Sequence, residues 1–101
     1  MHFNDGFEAG KAGRYQDAVQ AFNLAIMRDE ELALAFMYRA DAYYHLAKYD
    51  AALEDVNHFL SFDVQNAQAY NLRGIIYEKL KQFNNAIENF NKALEIKPDY
   101  D

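Results

Sequence analysis

Asp41 and His45 stand four positions apart, and Asp55 and His58 three apart, in a chain of 101 residues. On a helix either spacing sets a carboxylate beside an imidazole on one face, where the two could share a metal ion or a proton. Each pair supplies only two ligands, and no third donor follows at a recognisable spacing. The ordinary reading is a solvated pair on a helix surface, worth about 0.2–0.5 kcal/mol. Nucleophiles are scarcer still: Ser61 is the single serine, and there is no threonine or cysteine. No histidine supports Ser61 at a triad spacing, and neither disulfides nor Cys-ligated zinc have residues to form them. The glycines are too dispersed for a phosphate-cradling loop. Asp29, Glu30 and Glu31 form an acidic turn that reads as charge for a helix N-terminus. The expectation is a chain with no catalytic residue, no metal and no cofactor.

The elements that must hold these residues read as helices. One proline and four glycines leave few breaks, and 51% of the residues are apolar and 16% aromatic. That composition supports one modest folded core rather than disorder. The formal net charge is −6 and the ten Lys and Arg residues are scattered, so no nucleic-acid partner is expected. No run approaches the roughly 18 apolar residues of a membrane span. The opening MHFNDGFEAGK lacks a charged-then-apolar leader, so no membrane partner and a cytoplasmic location are expected.

Slid against itself until Tyr15 meets Tyr49 and Tyr49 meets Phe83, the chain also superimposes Ala18, Ala52 and Ala86. Val19, Leu53 and Ile87 fall together too, as do Ile26, Leu60 and Leu94, and the small residues Gly6, Ala40 and Gly74. Each copy reads as two antiparallel helices, over about 3–12 with 15–28, 32–46 with 49–62, and 66–80 with 83–97. Asn66 is a candidate N-cap, Gly13 a candidate C-terminal cap, and Pro98 a helix stop. Gly74 and Ala86 are small where two helix axes must approach, with aromatics around the contact. Copies one and three pair Phe22 with Ala25 and Phe90 with Ala93, whereas copy two pairs Val56 with Phe59, an exchange that roughly conserves core volume.

A period of this length, about 34 residues, marks a helical repeat array. With Tyr70, Arg73, Gly74, Tyr77, Ala86, Phe90 and Pro98 in copy three, the chain resembles the tetratricopeptide repeat family. Copy two follows with Phe36, Arg39, Ala40, Tyr43, Ala52 and Val56, and copy one, with Gly6, Ala9, Ala18 and Phe22, is the weakest match. The resemblance implies an all-α fold: a right-handed α-solenoid of three stacked helix-turn-helix repeats, six helices, divided as residues 1–32, 33–66 and 67–101. After Lys97 no further helix is read, so surface around Ile87, Phe90 and Leu94 is expected to be uncovered, as in a piece of a longer protein.

The resemblance also implies that the first helix of each repeat lines a concave groove for a protein or peptide partner. The groove candidates are Phe3, Phe7, Met37, Tyr38, Asp41, Tyr44, His45, Asn71, Leu72, Ile75 and Glu78, with Leu34, Gln68 and Lys79 beside them. Relatives that capture chaperone C-terminal tails use a two-carboxylate clamp built on lysine, arginine and asparagine. The matching positions here are Phe3, Phe7, Tyr38, Gln68 and Leu72, which offer no cation, so this chain is expected not to bind such tails. The expected function is a non-catalytic interaction module that holds a peptide segment through apolar and aromatic anchors, with Asp41 and Glu78 favouring some positive charge in the partner. Two alternatives stand beside it: self-assembly into homo-oligomers through uncapped ends, and chaperoning of secreted or assembling proteins.

Overall fold

The computed structural model describes residues 1–99. Six helices follow one another: α1 (His2–Lys11), α2 (Tyr15–Met27), α3 (Leu32–His45), α4 (Tyr49–Phe62), α5 (Ala67–Lys79) and α6 (Phe83–Ile96). Among the described residues there is no strand. Each odd-numbered helix packs on the even-numbered helix that follows it; α2 then packs on α3, and α4 on α5. The result is three helical hairpins stacked in series, as the repeat in the sequence predicts.

The close contact inside each hairpin explains the small residues. A Cβ added to Gly6 would come within 2.7 Å of the Phe22 ring, and one added to Gly74 within 2.7 Å of the Phe90 ring. In the middle repeat the same register holds Ala40 and Val56, both fully buried in one core cluster. The smaller valine leaves room for the methyl group that the phenylalanines exclude. Phe59, 4% exposed, takes up the volume that Val56 gives away.

The turns within the hairpins share one geometry. Gly13, Ala47 and Lys81, each one repeat from the next, all adopt positive φ, at 79°, 61° and 64°. The next N–H closes the helix end behind each: Arg14 donates to Ala9 O at 2.8 Å, Lys48 to Tyr43 O at 2.9 Å and Gln82 to Tyr77 O at 2.9 Å. This left-handed cap suits glycine, and only the first repeat supplies it. Between repeats two and three the Asn66 side chain accepts the Ala69 N–H at 2.9 Å, capping α5 as the sequence suggests. The acidic turn between the first two repeats serves α1: Glu30 accepts the Phe3 N–H at 3.3 Å.

The repeats are also joined by arginine. The Arg39 guanidinium grips Asp55 with two bonds of 2.8 Å, and with its third nitrogen reaches Asn23 of the preceding hairpin at 2.7 Å. Asp55 is 1% exposed. Arg73, one repeat on, donates to Asn89 at 2.7 Å and back to Asn57 at 2.9 Å. The hydrogen bonds Arg39 donates to Asp55 hold it above its ordinary pKa, against the burial that works the other way. Asp55 is thus a buried structural anion and not half of a solvated pair with His58, whose ring instead stacks on Phe36 at 4.8 Å.

Candidate functional site

The inner face of the stack is formed by the first helix of each hairpin. Two hollows open on it side by side. One, of about 260 Å³, lies between α3 and α5 and is lined by Met37, Tyr38 and Asp41 on one side and by Gln68, Asn71, Leu72 and Ile75 on the other. The second, of about 200 Å³, lies between α1 and α3, with Gly6, Phe7, Gly10 and Lys11 facing Tyr38, Asp41 and Ala42 above the Phe22 ring. Tyr38 and Asp41 belong to both and form the wall between them.

The chemistry of this face is largely apolar. Tyr38 sits in a cluster of rings, 5.9 Å from Phe3, 5.4 Å from Phe7 and 6.3 Å from Phe22 between centroids. Such ring pairs hold one another rigid, so the face is set before any partner arrives. Met37 and Leu72 line the larger hollow while belonging to the core beneath it. Asn71 and Gln68 add amide groups there. Asp41 brings a carboxylate to both linings. Burial pushes its carboxyl above the ordinary value, opposed by the nearby His45. Lys11 brings a cation to the smaller hollow; its Nζ lies 5.2 Å over the Phe7 ring and 3.7 Å from Glu8.

Among the groove candidates, Phe7, Met37, Tyr38, Asp41, Asn71, Leu72 and Ile75 meet around the two hollows. Phe3 backs Tyr38 and lines a shallower dip with Leu34 and Glu30. Tyr44 and His45 lie one turn on, at the end of α3, where His45 stacks on Tyr15 at 4.4 Å and reaches Asp41 at 3.6 Å. Glu78 is exposed and belongs to neither hollow. Gly10, Lys11 and Ala42 were not among the candidates. The repeat itself would have found Gly10, which shares a register with Tyr44 and Glu78. Among the described residues no three His, Cys, Asp or Glu side chains converge as a metal site would need, and no helix is long and apolar enough to cross a membrane.

Residues 67–100 match the tetratricopeptide repeat model. The whole six-helix array superimposes on the Arabidopsis OM64 TPR domain with a TM-score of 0.93 at 27% identity, covering 98% of this chain and 82% of that one. Residues 67–100 thus match one tetratricopeptide repeat, and the six helices together have the fold of a tetratricopeptide repeat domain. The chain is also similar to the second TPR domain of human RPAP3, solved in complex with the HSP70 peptide SGPTIEEVD: TM-score 0.90, 27% identity, 98% of this chain and 82% of that one. In sequence it is 36% identical over 59 residues to neutrophil cytosol factor 2 of Bos taurus, a match over 58% of this chain. The match spans only about 11% of that relative's length.

Proposed function

We propose that this domain takes a peptide segment along the inner face of α1, α3 and α5, holding it by apolar and aromatic contacts without catalysis. The supporting observation is the pair of adjoining hollows that share Tyr38 and Asp41. The rings and aliphatic groups in their walls, Phe7, Phe22, Met37, Tyr38 and Leu72 among them, are already packed on one another or on the core, so little order has to be gained there on binding. The five clamp positions, Phe3, Phe7, Tyr38, Gln68 and Leu72, supply no cation for a terminal carboxylate, so the partner differs from the HSP70 peptide of the human RPAP3 complex. A peptide array probed with the domain and with Tyr38→Ala and Ile75→Ala tests the reading. Loss of the same hits in both variants, with unchanged circular dichroism, supports it; hits that survive both substitutions remove it.

The exposure of Phe83, Ile87 and Leu94 along α6 (57%, 56% and 44%) favours a second reading, pairing of two copies across that helix. Light scattering over a concentration series checks it. A dimer that dissociates on Ile87→Glu supports it, and a monomer at every concentration excludes it.

A further inference from the structure

Gly6 and Gly10 lie on the same helix, and only one of them is demanded by packing. Gly6 cannot carry a Cβ without striking Phe22, but a Cβ on Gly10 would meet nothing within 4 Å. Gly10 has no positive φ either. In a helix such a glycine is less favourable than alanine. Gly10 lines the hollow between α1 and α3, where its missing side chain leaves space.

The next repeat shows what fits there. One repeat on from Gly10 stands Tyr44, and one repeat on from the facing Tyr38 and Ala42 stand Leu72 and Ile76. The Tyr44 ring packs on the core cluster that contains Leu72 and Ile76. In the middle repeat this position carries an aromatic ring of the chain's own, packed on the core and 6.0 Å from the Tyr49 ring; in the first repeat it carries no side chain and lines a hollow with Phe7, Phe22 and Tyr38.

We propose that the hollow beside Gly10 is a pocket for an aromatic side chain of the partner segment, with a lysine or arginine next to that residue meeting Asp41. This deepens the groove reading above and rests on it. The charge half follows from the neighbours. Asp41 borders the hollow, its ion-pair partner is the His45 imidazole at 3.6 Å, and the chain as a whole carries a formal charge of −6. Lys11, at the far wall, is already drawn to Glu8 and to the Phe7 ring. The Asp41 side chain is half exposed at the rim of the hollow, within reach of an arriving cation.

The test is a titration of three fluorescein-labelled peptides, GSKFLSG, GSKALSG and GSEFLSG, with the whole chain. GSKFLSG is expected to bind at least tenfold more tightly than either of the others. Gly10→Tyr, which copies the arrangement of Tyr44, should raise the melting temperature and cut GSKFLSG binding to the level of GSKALSG; Gly10→Leu does the same should the tyrosine variant fail to fold. Gly10→Ala should raise the melting temperature and weaken GSKFLSG binding less than Gly10→Tyr does. Asp41→Asn should erase most of the preference for GSKFLSG over GSEFLSG while leaving the preference for Phe over Ala. Wild-type affinity in both Gly10→Tyr and Gly10→Leu overturns the pocket. If Tyr38→Ala and Ile75→Ala still abolish binding in that case, the groove reading survives without it; if they do not, both readings fall. Equal binding of the three peptides, or binding of none at millimolar concentration, overturns the proposal outright.

Discussion

Arg39 and Arg73 occupy one register in successive repeats and make the same joint with different materials. Arg39 closes on a buried carboxylate with two bonds, and Arg73 closes on the Asn89 amide with one. Asn89 balances the difference by donating its own N–H to Asn85 O at 2.8 Å, which a carboxylate cannot do. The two repeats differ in their cores in the same spirit, Ala40 with Val56 against Gly74 with Phe90. In the cores the residue type changes together with the residue it touches, whereas at the joint one arginine accommodates either an anion or an amide. What the repeat preserves is the fit between positions, and a single substitution should therefore cost more than a paired one.

The largest effect is expected where a charge would be stranded. Asp55→Ala leaves the partly buried Arg39 without its anion and should cost about 3 kcal/mol in urea unfolding, whereas Asn89→Ala should cost about 1 kcal/mol. Equal losses would show that the carboxylate and the amide are interchangeable. Next in size is the core. Gly74→Ala forces the Phe90 ring to move and should cost about 2 kcal/mol, and Gly74→Ala with Phe90→Val should recover more than half of it by reproducing the middle repeat. Recovery absent from the double variant would break the analogy between the two cores.

A smaller effect, of opposite sign, is expected at the turns. Ala47 and Lys81 hold a left-handed backbone that costs about 1–2 kcal/mol for a residue with a Cβ. Glycine escapes that cost but gives back about 0.5–1 kcal/mol in chain entropy. Ala47→Gly and Lys81→Gly should each raise stability by about 0.5–1 kcal/mol, making these turns like that of Gly13. The smallest effect belongs to Asp41. Its carboxyl titrates above the ordinary value in the fold, so it favours folding below its unfolded pKa and opposes folding as pH rises through the folded one. Asp41→Asn should melt slightly higher than the parent at neutral pH, with the gap closing toward about pH 3. A gap that widens on acidification would reverse the assignment.

The hairpins were legible in the sequence because every helix carries its apolar residues in a register that recurs. Helix ends fell close to the expected ones because Gly13, Asn66 and Pro98 are local signals whose chemistry acts on their own neighbours. The Arg39–Asp55 joint was not legible. It ties together two different helices, while His58 offers Asp55 a nearer partner along its own helix. Its trace was present in the recurrence of Arg39 at Arg73, each followed at one fixed interval by a polar residue, Asp55 or Asn89, on an otherwise apolar face. The hollows were legible only in part. Met37, Tyr38 and Asp41 follow from their place on a first helix, but Gly10, outside the recurring register of small residues, signals nothing until the space around it is known.

Asn23 and Asn57 each receive an arginine from the hairpin that follows, and Asn91 stands in the same register on α6, exposed to solvent. The seam between units is therefore written into the later units: a copy with arginine in the register of Arg39 and Arg73, joined in phase, carries the hook and finds the eye already in place. A protein of this kind can lengthen by duplication without inventing a new interface at each step, and a protein engineer could extend this one by the same rule.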